Sequence, residues 1–346
     1  MKKVKKVSLL TAVFISGMVS LAHATVTLPL FELFTPKIEE ETDGSYHMRL
    51  LEVGKAWGLT QGSPAIKVAL ITTGANYKLD TLKSNIALNH SEMHGKNGID
   101  DDGNGYIDDI YGTNTYLGTG DPMDFHGLGT YVASLVGGVD VGLLKEVSII
   151  PINPFNDQGL GTTESTVKAI QYAISRRAKI VELGFGSGSK AEALCAAIEE
   201  GGKHDVLFIA TAGNGGQDID GENTIYPAAC PSDNLLVGTT TDQNDELALY
   251  ASWGVRRVHV AAPGDFLTGF NHLGQPKKYR GGSVSNGVTT AVATLALSAN
   301  PALTYKQLKE VLMYSVDPIP ALSGKVSSGG RLNAFSAVRL ARSIPR

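Results

Sequence analysis

Apolar runs of strand length alternate with segments of helical periodicity along most of this 346-residue chain. Residues 67–71 and 180–183 form short apolar runs typical of buried strands, whereas residues 165–178 repeat apolar side chains at helical spacing. The same criteria predict further strands and helices, at 206–212, 235–239 and 258–261, and at 190–200, 287–299, 305–315 and 332–343 respectively. Apolar strands joined by helices favour a parallel sheet that is covered on both faces. The pattern therefore predicts an α/β fold of three layers, with a mainly parallel central sheet between helices.

The first 24 residues have the pattern of a secretory signal peptide. A start with four lysines precedes an apolar run at residues 7–21 and a small-x-small site at residues 22–24. The run is shorter than the roughly 20 apolar residues that a membrane-spanning helix needs. We therefore expect cleavage after Ala24 and export to the periplasm or the medium, with no membrane span in the mature protein. A retained N-terminal anchor is the alternative.

The remainder of the chain carries a mild excess of acidic residues. The formal net charge is −4, and it becomes −8 when the four leader lysines are removed. An acidic chain without a basic cluster argues against a nucleic-acid partner. No Pro/Ser-rich linker and no internal repeat divides the sequence. We therefore expect a polar, aperiodic N-terminal segment at residues 25–48, followed by one domain at residues 49–346.

The two cysteines, Cys195 and Cys230, leave two possibilities open. Export permits a disulfide, and closing a loop of this length would stabilise the fold by about 3 to 4 kcal/mol in the chain-entropy model. Two separately buried thiols are the alternative, because a free cysteine packs like a small apolar residue.

Several segments occur in the order found in subtilisin-like serine peptidases. They are IKVALITTGANYKLDTL, DFHGLGTYVASLVGG, FIATAGNGG, IYPAACPSDNLLVGTTTDQND, VAAPG and YRGGSVSNGVTTAVATLALSANP. The chain resembles that family over residues 51–341. The resemblance implies a three-layer subtilisin-like fold, in which the last segment carries the nucleophilic serine and the third supplies an oxyanion-hole asparagine.

The resemblance is incomplete at the positions that move protons. Ser283 stands at the nucleophile position and Asn214 at the oxyanion position. Thr72, however, occupies the position of the aspartate that orients the base, and Leu128 occupies the position of the histidine base. A leucine cannot accept a proton at any pH, and a serine without a base stays protonated and weakly nucleophilic.

These replacements predict a catalytically inactive, exported relative of the peptidases that acts by binding or regulation. The alternative is an active serine endopeptidase or other hydrolase that uses Ser283 with a relocated base, for which His126 is the candidate because it lies two residues before Leu128. A purely structural assembly protein is a further alternative. The resemblance gives Asp124 a structural role. The segment before residue 49 is too short for the folded propeptide of many family members.

The segments that match the family's substrate-binding edges resemble the family more closely than the catalytic positions do. Residues 181–188 and 157–166 match the two edges between which a bound peptide pairs as an added strand. Gly184 replaces the usual serine, but backbone pairing requires no particular side chain. We therefore expect a peptide or protein ligand in this former substrate groove; the alternative is that both edges persist as scaffold.

The run NGIDDDGNGYIDD at residues 97–109 resembles a calcium-binding loop. It follows the D-x-[DN]-x-[DN]-G pattern, which wraps oxygen ligands around Ca²⁺. The predicted ligands are Asp100, Asp102, Asn104, Tyr106, Asp108 and Asp109. Tyr111 stands where a bidentate glutamate would complete the shell, so another acid such as Asp109 must do so. A solvated acidic turn is the alternative to a Ca²⁺ site.

Overall fold

The computed structural model describes residues 28–29 and 43–345. The predicted signal peptide and cleavage site lie outside the described residues. Within residues 43–345 no helix is long and apolar enough to cross a membrane. The segment predicted as aperiodic at residues 25–48 contributes a two-residue strand at Leu28–Pro29 and the start of a helix at Tyr46.

The described part of the chain alternates strands and helices as the sequence predicts. The strands are β1 (Leu28–Pro29), β2 (Gly62–Ile71), β3 (Thr113–Asn114), β4 (Glu146–Asn153), β5 (Leu160–Gly161), β6 (Ile180–Leu183), β7 (Leu207–Thr211), β8 (Leu235–Thr241), β9 (Val260–Pro263), β10 (Leu267–Phe270), β11 (Pro276–Tyr279), β12 (Val316–Pro318) and β13 (Gly330–Leu332). The helices are α1 (Tyr46–Leu50), α2 (Val53–Trp57), α3 (His90–His94), α4 (Leu128–Gly137), α5 (Thr163–Ser175), α6 (Glu192–Lys203), α7 (Gly282–Ala299), α8 (Tyr305–Tyr314) and α9 (Ala334–Ser343). Short 3₁₀ turns lie at Lys83–Asn85 and Pro320–Leu322.

Nine strands form the central sheet in the order β12-β13-β9-β8-β7-β6-β2-β4-β3. Every neighbouring pair is parallel except β12–β13 at one edge. The strand pairs β1–β5 and β10–β11 lie outside this sheet and are antiparallel. The prediction of a mainly parallel α/β sheet is therefore confirmed.

Alternating side chains of the strands enter two separate apolar cores. Along β2, Val68 and Leu70 face the core that holds α4, α7 and α9, whereas Ala69 and Ile71 face the core that holds α5 and α6. This is the two-residue period of a strand buried on both faces. The helices on both faces complete the three layers.

Helix α7 packs directly on the sheet because its residues are small. Sixteen of its eighteen residues are buried, and most of them are Ala, Ser, Thr, Gly or Val. A side chain on Gly282 would collide with Thr211 of β7, since its Cβ would lie 2.0 Å from Thr211 Oγ1. This close approach fixes where the first turn of α7 begins relative to the ends of the strands.

A disulfide joins Cys195 of α6 to Cys230, with their Cα atoms 5.2 Å apart. Cys230 follows the Tyr226–Pro227 peptide bond, which is cis. The disulfide therefore connects helix α6 to the loop before β8. The bridged alternative is the one found in the structure.

Candidate active site and calcium loop

Ser283 lies in the first turn of α7, at the carboxyl ends of the parallel strands. The sequence predicted this helix to begin at residue 287, so that Ser283 would precede it; that boundary was wrong, because α7 begins at Gly282. Ser283 is 2% exposed, and its hydroxyl donates a hydrogen bond to the carbonyl oxygen of Gly184 at 3.3 Å. In this arrangement the hydroxyl keeps its proton, since a backbone carbonyl is not a base.

Asn214 lies in the loop after β7 and contacts the start of α7. Its Oδ1 accepts the backbone N–H of Gly282 at 2.7 Å, which orients the amide group. The Nδ2 group has no hydrogen-bond partner among the described residues. The backbone N–H of Ser283 belongs to the first turn of α7, where helices leave N–H groups unpaired and carry a partial positive charge. Asn214 therefore lies where an oxyanion donor is predicted, and its role stays a prediction.

Thr72 follows the last residue of β2 and is 1% exposed. Its backbone N–H donates to Ile152 of β4 at 3.1 Å, but its hydroxyl has no partner among the described residues. A Cβ on Gly184 would lie 3.4 Å from the Cβ of Thr72, so this side chain lies directly beside the segment that contacts Ser283. A neutral hydroxyl here supplies no charge to orient or stabilise an imidazolium.

Leu128 is the first residue of α4 and is 2% exposed. It belongs to the same apolar core as Val284 and Val288 of α7. The side chain of Leu128 is therefore part of the hydrophobic core. The resemblance places this residue at the position of the family's histidine base.

Asp124 holds the start of α4 to the end of β2. Its Oδ1 accepts hydrogen bonds from the Thr73 hydroxyl and from the backbone N–H groups of His126 and Gly127, at 2.9 to 3.0 Å. Its Oδ2 accepts the backbone N–H and the hydroxyl of Thr130, at 2.8 and 2.7 Å. A carboxylate that binds the N–H groups of a helix start also stabilises the helix dipole. These contacts support the structural role that the resemblance implies for Asp124.

His126 is exposed on the loop before α4, whereas Ser283 is buried. Within residues 43–345, the hydroxyl of Ser283 hydrogen-bonds a carbonyl oxygen and no histidine. A general base must come within about 3 Å of the hydroxyl oxygen. The relocated base therefore stays a prediction that would require a change in the position of His126.

Glu182 of β6 lies beside Gly184, and the sequence patterns did not predict a role for it. It is 0% exposed, and burial raises the pKa of its carboxyl group to about 8. Asn286 of α7 donates an Nδ2–H to its Oε1 at 2.6 Å, and the same amide donates to the carbonyl groups of Leu183 and Ile209 at 3.2 Å. The Oε2 atom has no partner. The signal was present in the sequence as one charged residue within the apolar run IVEL.

The glycine at position 184 is explained by Glu182. A Cβ there would lie 3.1 and 3.2 Å from the two carboxyl oxygens of Glu182, which is tighter than most Cβ contacts. A side chain at position 184 would require the carboxyl group of Glu182 to shift by a few tenths of an ångström.

One of the two predicted edges of the substrate groove contacts Ser283. That edge, residues 181–188, includes Gly184, whose carbonyl oxygen accepts the Ser283 hydroxyl, and Ser187, which pairs with Tyr226. The other predicted edge, residues 157–166, includes β5. The rings of Phe185 and Phe155 are in edge-to-face contact at 5.7 Å, and Phe155 forms an antiparallel bridge to Gly161 of β5. The two edges are therefore connected through the contact between the buried rings of Phe155 and Phe185.

The predicted calcium loop has the backbone of a cation-binding turn. Asp100 accepts the backbone N–H groups of Asn104 and Gly105, at 3.1 and 2.8 Å, and Asn104 Oδ1 accepts the N–H of Tyr106. Asp108 accepts the N–H of Gly98. Gly105 adopts φ +95°, a conformation that favours glycine. The loop is folded around the oxygens of its acidic residues.

Glu92 of α3 joins this loop, although the sequence pattern did not include it. Its two carboxyl oxygens accept the N–H groups of Asp101, Asp102 and Asp108, at 2.8 to 3.1 Å. Oxygens of Glu92, Asp102 and Asp109 lie within 4.8 Å of one another, so this cluster could hold a metal ion. Glu92 precedes the motif by eight residues and enters it from another element, so the loop pattern carried no signal for it.

Asp109 is more constrained than the other predicted ligands. It is 0% exposed, its Oδ2 is within 3.1 Å of Arg176 Nη1 and also hydrogen-bonds the Tyr172 hydroxyl, and its Oδ1 accepts an N–H from Asn89 at 2.9 Å. Burial raises the pKa of this carboxyl group. Glu92 and Asp109 are therefore both candidates for the acid that completes the shell, since both belong to the cluster that could hold a metal ion. Carboxylate and amide oxygens fit a hard cation such as Ca²⁺.

The chain is similar in sequence to known peptidases. A profile of the subtilase family, peptidase family S8, matches residues 63–335. The subtilisin-like protease 1 of Plasmodium vivax is 28% identical over 297 residues, covering 80% of this chain and 47% of that protein. The thermophilic serine proteinase of Bacillus sp. strain AK1 is 25% identical over 292 residues, covering 82% of this chain and 64% of that protein. The chain spans about half the length of the curated relatives it matches.

The fold is similar to that of a solved peptidase. The crystal structure of a cold-adapted subtilisin-like serine proteinase superposes with a TM-score of 0.62 at 23% sequence identity, covering 79% of this chain and 89% of that one. This likeness confirms the subtilisin-like fold class. Because the family profile matches most of its length, the chain belongs to the subtilase family.

Proposed function

We propose that this protein is an exported subtilisin-like pseudopeptidase, which binds a peptide or protein segment and does not hydrolyse it. The observation that carries the proposal is Leu128, buried in the apolar core at the position of the base. Thr72 and the carbonyl partner of Ser283 support it, because neither can take up the proton of the hydroxyl.

The size of the expected loss makes residual hydrolysis unimportant. In subtilisin, which belongs to the same family, loss of the base costs about 10⁶ in turnover, and binding with the oxyanion hole leaves about 10³ to 10⁴ over water. Ser283 and Asn214 would supply only that residual acceleration over the uncatalysed reaction in water. Such a rate is too slow for a physiological peptidase.

Fluorophosphonate labelling of the purified mature protein tests this proposal, because labelling demands an activated serine. We expect labelling and casein hydrolysis at the level of the Ser283→Ala variant, which removes the hydroxyl and is the matched control. A measurable wild-type rate that both Ser283→Ala and His126→Ala abolish would overturn the proposal and establish the relocated base.

The same proposal includes a bound Ca²⁺ ion in the loop at residues 97–109. Carboxylate oxygens of Asp100, Asp102 and Glu92 and the amide oxygen of Asn104 would hold it, with the main-chain carbonyl of Tyr106 as the usual seventh-position ligand. Bound there, the ion would neutralise neighbouring acids and fix a long loop that precedes α4. It would stabilise the fold and take no part in chemistry at Ser283.

A further inference from the structure

Two histidines lie on one face of the short helix α3. His90 and His94 are its first and last residues, and their imidazole rings are nearly parallel, with centroids 5.9 Å apart. Residues four apart on a helix are neighbours, and the second side chain leans toward the first. Both side chains are exposed, and within residues 43–345 neither forms a hydrogen bond or an ion pair. Their ring nitrogens are therefore free to bind a ligand from solvent.

Two imidazoles at this spacing are an arrangement by which helices hold Zn²⁺. At a Zn–N distance of about 2.0 Å, two imidazoles that share one tetrahedral ion have ring centres about 5 Å apart. The centroid distance of 5.9 Å is close to that value. Rotation of the two exposed rings, without movement of the backbone, therefore directs one nitrogen of each toward a shared ion, and water completes its shell.

The surroundings of the pair favour a cation. Asp101 Oδ2 accepts the backbone N–H of Lys96 at 2.7 Å and would lie 2.0 Å from a Cβ on Gly95, so this carboxylate lies beside the end of α3. A negative potential raises the local concentration of cations. Imidazole suits Zn²⁺, Cu²⁺ and Ni²⁺, whereas Ca²⁺ and Mg²⁺ prefer oxygen ligands. The histidine pair and the acidic loop would therefore take different ions.

Helix α3 connects the pair to the predicted calcium loop. Its five residues form little more than one turn, and a helix of this length is unstable on its own. Glu92, between the two histidines, accepts three backbone N–H groups of the loop, at 2.8 to 3.1 Å. Asn89, which precedes the helix, donates to Asp102 Oδ2 and Asp109 Oδ1, each at 2.9 Å. An ion that joins the two ends of α3 would hold this turn, and with it the carboxyl group of Glu92.

We propose that His90 and His94 form a second cation site, which takes a divalent transition-metal ion such as Zn²⁺ and clamps α3 against the loop at residues 97–109. The effect on Ca²⁺ rests on the proposed calcium loop, whereas the binding of Zn²⁺ to the pair does not. Because coupling between two sites is reciprocal, each ion raises the affinity of the other by the same factor.

Calorimetric titration of Zn²⁺ into the mature, chelator-treated and desalted protein tests the site, with excess Ca²⁺ present to occupy the acidic cluster. We expect one Zn²⁺ per chain, and tighter binding of Cu²⁺. His90→Gln and His94→Gln should each weaken Zn²⁺ binding at least about tenfold, since loss of even an outer-shell partner of a ligand costs about that much. His204→Gln, at an exposed histidine on another helix end, is the matched control and should bind as the wild type. Wild-type affinity in both pair variants, or no Zn²⁺ binding by the wild type, would overturn the proposal.

Hydrogen exchange shows whether the ion clamps α3. The amides of Asp101 and Asp108 donate to Glu92. Zn²⁺ should slow their exchange about fivefold in the wild type and leave it unchanged in His94→Gln. Bound Zn²⁺ with no change at these amides would refute the clamp.

Calcium titrations separate this inference from the proposed function. Zn²⁺ should raise the Ca²⁺ affinity of the wild type about fivefold, a typical coupling between sites, and should not raise that of His94→Gln. Zn²⁺ binding with slowed Asp101 exchange but no Ca²⁺ binding would retain this inference and overturn the calcium loop. Equal Ca²⁺ affinity with and without Zn²⁺ would contradict the coupling.

Discussion

The starts of α4 and α7 meet at the same end of the sheet, but they differ in what has been kept. At α7, Ser283 retains its place, Asn214 retains its contact, and Gly282 allows the close approach to β7. At α4, the hydrogen bonds of Asp124 hold the start of the helix, whereas Leu128 and Thr72, which follows β2, carry no charge. Under the proposed function, the two positions that would take up or stabilise a proton are replaced, whereas Ser283 and Asn214 are kept.

The subtilisin-like fold forms with uncharged side chains at positions 72 and 128. Leu128 contributes an apolar side chain to the core, which a polar base exposed to substrate would not do. Burying an imidazole there would require a partner, because an unpaired buried polar group costs free energy. Leu128 avoids that cost, whereas the buried hydroxyl of Thr72 has no hydrogen-bond partner among the described residues.

The largest expected effect is the restoration of activity by changes at positions 72 and 128. The double variant Thr72→Asp with Leu128→His should label with fluorophosphonate and hydrolyse casein about 10² to 10³ times faster than wild type, because it returns both the base and its orienting charge. Neither single variant should do so, since the base and its acid act as a unit. A folded double variant that resists labelling would show that the geometry at α7 is also lost, despite Asn214 and Gly282.

Removal of the Asp124 carboxylate, which accepts five hydrogen bonds at the start of α4, should cause a large loss of stability. Asp124→Ala leaves five donor groups without their acceptor, and we expect it to lower the free energy of unfolding by about 4 kcal/mol and the Tm by roughly 10 °C. Thermal unfolding followed by circular dichroism measures this. Asp121→Ala, an exposed acid three residues earlier, should change the Tm little; equal effects of the two variants would contradict the structural role of Asp124.

Calcium should give an intermediate effect that does not depend on either helix start. A ligand present at about 100 times its Kd stabilises the folded state by about 2.7 kcal/mol, so adding Ca²⁺ to chelated protein should raise the Tm by several degrees. Asp100→Ala combined with Asp102→Ala should abolish the rise, and Glu92→Ala should reduce it. Asp140→Ala, an exposed acid outside the loop, is the control and should leave the rise unchanged.

The sequence was most reliable where local pattern and packing agree. The strand predicted at residues 180–183 was found as Ile180–Leu183, because its apolar run is buried on both faces. The start of α7 was missed because GGSVSNG contains residues that disfavour helices, and the helix forms there through its contacts with β7. Tertiary packing outweighed local propensity.

The candidate site shows the same division. Ser283, Asn214, Thr72 and Leu128 could be placed by resemblance, since each lies in a recognisable segment. Glu92 could not be assigned to the calcium loop from the sequence. It lies in another element, and its carboxyl oxygens accept the backbone N–H groups of Asp101 and Asp108, which are 9 and 16 residues further along the chain. The pairing of β1 with β5 could not be predicted from the sequence, because local residue patterns do not determine which sheet edge a two-residue strand pairs with.

The smallest expected effect comes from Glu182, whose carboxyl group accepts a hydrogen bond from Asn286 of α7 and lies beside Gly184. Its pKa is raised from 4.5 to about 8 by burial, so between these values the folded protein keeps a proton that the unfolded chain releases. The contribution of this group to stability is therefore complete below pH 4.5 and is lost as the pH rises to about 8. Between pH 6 and pH 8 the loss should be about 2 kcal/mol.

Glu182→Gln isolates this contribution, because it keeps an acceptor for Asn286 and cannot ionise. The buried His47 and His259, whose pKa values burial lowers to about 4 and about 3, titrate in both proteins and cancel in the difference. Urea unfolding at pH 6 and pH 8 should show the variant gaining on the wild type as the pH rises. Parallel pH curves would mean that Glu182 ionises normally, and that water reaches the space between Thr72 and Gly184.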